Sequence, residues 1–148
     1  MLDIFDILNT EKSRINFIKG LIYISKAEEI AIGSNAVEEE ELTALNSAMN
    51  TLQIPENERT KLENLISSNE IKIDIEFENS TQSRLLIREA LQICYIEGCY
   101  GDEEKDMIYK FGKKLGINSN QIEKIEKWVL EGIKWSEFGE KLVIGEVK

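Results

Sequence analysis

Histidine is absent from this sequence of 148 residues, cysteine occurs twice, and basic side chains are outnumbered 18 to 28 by acidic ones. The missing histidine removes the commonest general base, the usual orienting member of a nucleophilic triad and the commonest metal ligand. Cys94 and Cys99 stand five apart, a spacing that matches neither redox nor zinc signatures, and Cys94 lies in an apolar run where it packs as a small hydrophobe. Two thiols without a signal-peptide pattern point to a reducing cytoplasm. No apolar run is long enough to span a bilayer: the stretch 15–24 is short and carries Asn16, Lys19 and Gly20, so direct membrane insertion is excluded. A formal charge of -10 with no basic cluster repels phosphate backbones and anionic lipid, which excludes nucleic acid and favours cations or basic protein surfaces as partners. No glycine-rich phosphate loop and no nucleophile paired with a base is present, and Ser25-Lys26 lacks the spacing of a Ser–Lys hydrolase. Paired carboxylates remain as the sole catalytic chemistry, and they sit at helix starts where structural roles account for them. The chain reads as non-catalytic.

What is present is helical periodicity. Apolar residues at Ile4, Phe5 and Leu8, then at Ile15, Phe17, Ile18, Leu21, Ile22 and Ile24, predict a helix over 3–25 with a break near Asn9-Thr10, where Thr10 can cap. Gly33-Ser34-Asn35 marks a turn. A helix over 38–53 buries Leu42, Leu45 and Met49, and Pro55 opens another that buries Leu62, Leu65 and Ile66. The stretch 71–78, IKIDIEFE, alternates with the period of a half-buried strand. It either pairs with the less regular alternation of 141–147 as a two-stranded ribbon or crosses the helices as an extended linker. Ser80 or Thr81 caps a helix running to Glu97. A second begins at Asp102, and a last one, capped by Asn118 with Gln121, carries Ile122, Ile125, Val129 and Ile133. Trp128 and Trp135 are assigned to core and rim packing. The chain is one domain, with a tail over 136–148.

The two halves repeat each other in register. Leu52-Gln53-Ile54 matches Leu115-Gly116-Ile117, and eleven residues before each leucine stands a glutamate, Glu41 and Glu104. The segment 23–28 parallels 92–97. The fold expected is all-α, a bundle of two pseudo-symmetric three-helix units over about 15–68 and 81–135.

The order of an apolar helix, Glu97-Gly98, five residues, Glu104, then Met107-Ile108 and Leu115-Gly116-Ile117 resembles the TerB-like family of tellurite-resistance proteins over about residues 17–135. The family prefers Asp where Glu97 stands, and the first half carries Glu28-Glu29 in place of an Asp-Gly pair. The resemblance implies a helical, cytoplasmic bacterial domain of tellurite and general stress resistance. It further implies divalent-cation binding through the acidic turns and assembly with other Ter-system proteins at the inner membrane face. The residues offer Glu97, Asp102, Glu103 and Glu104 as oxygen ligands for Ca²⁺ or Mg²⁺, with Glu28 and Glu41 as the counterpart in the first half. The spacing does not fit an EF-hand loop. Set against this, Asp102 can cap while Glu103 and Glu104 favour the helix dipole, which leaves a metal-independent interaction domain with an acidic docking face. The two readings differ in whether Glu97 and Glu104 face each other or each its own backbone.

Overall fold

The computed structural model describes residues 3–31, 37–68, 74–96 and 100–147. The regular elements among them are all α-helices, in line with the class expected: α1 (Ile4–Ile7), α2 (Glu11–Ala31), α3 (Glu39–Thr51), α4 (Glu56–Ser67), α5 (Ser80–Ile96), α6 (Asp102–Lys114) and α7 (Ser119–Ile144). Among the described residues no helix is long and apolar enough to cross a membrane. The chain divides into two compact units, Met1–Leu86 and Ile87–Lys148.

In the first unit the break between α1 and α2 falls where expected. Thr10 Oγ1 accepts from the Ser13 N–H at 3.1 Å, and Ser13 Oγ accepts from the Thr10 N–H at 3.2 Å. Ser13 is therefore the returning half of a cap, which satisfies two otherwise orphaned donors. From there α2 packs against both α3 and α4, burying Ile18 and Ile22 with Leu45, Met49 and Leu62. Each such side chain withdrawn from water contributes about 1.5–3 kcal/mol. At Gly20 a Cβ would lie 2.3 Å from Leu86 Cδ2, so α2 needs a residue without a side chain where Leu86 presses on it. Lys26 is buried and donates to Leu65 O and Ser68 O, both at 2.8 Å. That places a cation on the carbonyl end of α4, where the helix dipole favours one.

The stretch 71–78 is described from Asp74 onward. Those residues alternate between exposed and half-buried and form no strand. Asn16 donates to Glu76 O at 3.0 Å, Thr10 Oγ1 to Glu78 Oε1 at 2.8 Å, and the Glu78 N–H to Gln82 Oε1 at 3.0 Å. A period of two thus describes an extended chain lying on a helical surface, pinned by side chains instead of a neighbouring strand. The cap of α5 is Asn79, whose Oδ1 accepts from the Gln82 N–H at 3.0 Å, and not Ser80 or Thr81.

In the second unit α6 packs on α7, with Ile108, Phe111, Ile117, Ile122 and Val129 buried. Cys94 is buried, while Cys99 lies outside the described residues. The Asn118–Gln121 capping box forms as expected, with bonds of 2.9 and 3.2 Å. Two expectations are corrected here. The ribbon partner over 141–147 does not exist as a strand, because α7 continues to Ile144 and ends on Gly145 in the left-handed region (φ 80°). Glu137, Glu140, Lys141 and Leu142 favour helix, and Gly145 supplies the terminator. The tryptophans are not packed as core and rim either: Trp128 is 53% exposed and Trp135 80%.

The turns that follow α3 and α6 share one local geometry. Gln53 and Gly116 both take positive φ, 53° and 82°. The Ile54 N–H reaches Met49 O at 3.1 Å, and the Ile117 N–H reaches Gly112 O at 2.8 Å. Both are the helix-ending turn in which a left-handed residue lets the chain close back on the last carbonyls and bury the apolar residue that follows. Of the two turns, only the one after α6 has glycine at the left-handed position. Gln53→Gly is therefore expected to stabilise the protein by about 0.5–1 kcal/mol, read as a rise in the urea midpoint. Gly116→Gln should lower it by a similar amount.

Candidate functional site

Glu41 and Glu104 occupy the same place in their helices, the third residue of α3 and of α6, and both are buried. Their surroundings differ. At the start of α6 the cap is Gly101, and Glu104 Oε2 accepts its N–H at 3.0 Å. A Cβ at Gly101 would stand 3.1 Å from that oxygen, so glycine makes room for the carboxylate to fold back. Asp102 is the first helical residue and not the cap, and Asp102 and Glu103 are exposed. Glu97 lies outside the described residues. Of the second-half candidates, Glu104 turns to its own backbone.

At the start of α3 the residue equivalent to Gly101 is Glu38, whose side chain makes no capping bond. Glu38, Glu41 and Glu29, the last from the final turn of α2, bring carboxylate oxygens within 4.8 Å of one another. Glu29 is 4% exposed, and its Oε2 is buried with no hydrogen-bond partner among the described residues. The side chain of Glu28 lies outside the described residues, so Glu41 is joined by Glu29 and Glu38 here. Helical phase could have found Glu29: it stands seven residues after Ile22 and eleven after Ile18, on the buried stripe of α2.

Physical chemistry makes such a trio costly on its own. Three like charges at this separation repel, and a buried carboxylate without a donor forfeits its hydration. A hard cation removes both costs. Oxygens sharing a Ca²⁺ at about 2.3–2.6 Å can stand up to about 5 Å apart, whereas Mg²⁺ at about 2.1 Å spans about 4 Å. Oxygens within 4.8 Å of one another are close enough to share one hard cation. No other group of three or more acidic or cysteine side chains close enough to hold an ion occurs among the described residues.

No protein-family model, curated protein or solved structure matches this chain. The functional reading therefore rests on the residues themselves.

A second buried carboxylate escaped the sequence reading. Glu126 of α7 is 8% exposed and accepts from the Tyr100 hydroxyl at 2.6 Å and from the Tyr109 hydroxyl, with Lys105 Nζ 4.0 Å away. The Tyr100 and Tyr95 rings lie 4.7 Å apart. Burial, and then the hydrogen bond to the charged Glu126, push both Tyr100 and Tyr109 above the usual phenol range. Both oxygens of Glu126 are occupied, so this cluster ties the turn before α6 to α7 and offers no open ligand position. Its signal was again phase, since Glu126 falls between Ile122 and Val129 on the buried face of α7.

Proposed function

We propose that this chain is a non-catalytic TerB-like module that binds a divalent cation, Ca²⁺ or Mg²⁺, through Glu29, Glu38 and Glu41, and that cation binding governs its docking to other proteins. One observation carries the reading: the buried Oε2 of Glu29, without a hydrogen-bond partner among the described residues, in a group of three carboxylates whose oxygens lie within 4.8 Å of one another. In this proposal the cation joins the end of α2 to the start of α3. The two pseudo-symmetric three-helix units, the cytoplasmic setting, the role in tellurite and stress resistance, and Ter-system partners at the inner membrane face belong to the same proposal through the family resemblance. A metal-independent interaction domain is the second reading. It is favoured by the outward-facing Glu39, Glu40, Asp102 and Glu103, which suit a basic partner surface.

Calorimetric titration of metal-free protein with Ca²⁺ and then Mg²⁺ separates the two. Saturable calcium heat is expected. It should vanish in Glu29→Gln/Glu41→Gln and persist in Glu97→Gln/Glu104→Gln. Absence of heat at millimolar calcium, with the protein folded, rejects cation binding and leaves the docking domain. Heat lost only in the Glu97/Glu104 variant moves the site to the second acidic turn.

A further inference from the structure

The stretch of α7 from Trp128 onward is the largest feature that the cation site does not use. Its apolar side chains Trp128, Trp135, Phe138 and Leu142 are 53%, 80%, 51% and 52% exposed, on a helix whose buried residues end at Val129. Trp128, Gly132, Trp135, Gly139 and Leu142 fall within roughly an 80° arc at 3.6 residues per turn. Large and small residues alternate along this line. A Cβ at Gly132 or at Gly139 would meet nothing within 4 Å, so neither glycine is needed by its own chain. Each nevertheless costs the exposed helix about 1 kcal/mol relative to alanine.

We infer that this face packs antiparallel against α7 of a second copy of the chain, each tryptophan seated over a glycine. Shape and charge both select that occupant. A twofold axis passing between Ile133 and Lys134 sets Trp128 over the second copy's Gly139 and Trp135 over its Gly132 in a single register. The parallel alternative sets bulky residues against bulky ones and glycine against glycine. In the antiparallel register Glu131 of one copy lies on the same flank as Lys134 of the other, about two residues away along the axis, near 3 Å. The twofold axis makes that ion pair twice. Lys127 and Lys141 on this flank stand farther along the axis from Glu131 of the other copy, about 14 and about 8 Å away, where solvent screens them. Arg88 sits 5.6 Å from the Trp128 ring centre and holds that ring in place. Two copies withdraw on the order of 1,000 Å² from water, the lower bound for a specific interface, which implies a dimer that dissociates on dilution.

Sedimentation equilibrium of the full chain over a wide concentration range tests this, with circular dichroism to confirm that each variant folds. A monomer–dimer equilibrium is expected, accompanied by a blue shift of tryptophan emission with concentration. Trp135→Ala should weaken association by more than about thirtyfold, the loss typical of a buried tryptophan anchor. Glu131→Lys and Lys134→Glu should each weaken it by more than about tenfold. The double variant E131K/K134E should recover association to within about threefold of the original, because the ion pair re-forms with its sign reversed. Gly132→Gln/Gly139→Gln should raise helicity and abolish the dimer. A chain monomeric at every concentration overturns the inference, as does a dimer that the charge reversals leave unchanged. An emission shift that occurs only on adding anionic vesicles to a monomeric chain also overturns it and assigns the face to lipid.

Discussion

Glu126→Ala is expected to destabilise the protein by about 2–4 kcal/mol, a large share of the stability of a small domain. The substitution removes the acceptor of two phenols at once, and Tyr100 and Tyr109 are each only half exposed. It also opens a void beside Ile122 and Val129, which flank Glu126 on the buried face. Glu126→Gln keeps the volume and one acceptor oxygen but turns an amide N–H₂ toward a hydroxyl that already has a donor to place. About half the loss is expected there. Chemical denaturation of the three proteins measures both steps. A loss below about 0.5 kcal/mol for Glu126→Ala would mean that water replaces the carboxylate freely and that the cluster does not tie the turn to α7.

The same cluster gives the fold an alkaline limit. Burial and the bond to Glu126 hold Tyr100 and Tyr109 above the ordinary phenol value of 10.0. In the unfolded chain both phenols lose their protons near pH 10, while the folded chain retains them to higher pH. Their contribution is therefore complete below pH 10 and is lost as the pH rises from there toward the folded values. The urea midpoint should fall between pH 9 and pH 11 more steeply in the wild type than in Tyr100→Phe/Tyr109→Phe. The share of the phenolate absorbance that Tyr100→Phe/Tyr109→Phe removes should appear together with unfolding and not before it.

Glu29, Glu126 and Trp135 show where the sequence is legible and where it is not. Apolar periodicity locates the helices, because burial of one face is what stabilises each of them. Capping at Thr10 and Asn118 can be read for a similarly local reason: the donors and acceptors lie within one turn. Acidic residues in phase with the buried stripe are harder. A glutamate near a helix end has several exposed roles, and only the packing of α3 beside α2 decides that Glu29 and Glu41 are covered. The acidic turn before α6 also gathers carboxylates in sequence, yet a glycine cap lets Glu104 satisfy its own backbone. In the turn before α3, Glu38 at that position adds a third charge instead. The tryptophans mislead for the opposite reason. Their size argues for burial, but the seven-residue spacing of Trp128 and Trp135 on α7 marks a face that its own unit does not cover.

For the acidic trio the decisive expectation is a reversal of sign. In chelator, Glu29→Gln should be more stable than the wild type by about 1–3 kcal/mol. It removes a buried charge from among three carboxylates and gives the site a donor in place of an orphaned acceptor. In calcium the order should invert. A ligand at a hundred times its dissociation constant stabilises the state that binds it by about 2.7 kcal/mol, and the wild type alone gains that increment. Thermal or urea unfolding of the two proteins, each with chelator and with saturating calcium, supplies the four numbers required. A variant less stable than the wild type in chelator as well would make Glu29 a structural residue whose second oxygen is met by water. A variant more stable in both conditions would mean that the trio is a cost the fold carries without calcium to relieve it, and the cation-binding proposal would fall. Only the crossing of the two orders is what a binding site requires, because each carboxylate then destabilises the metal-free protein through the same charge with which it holds the ion.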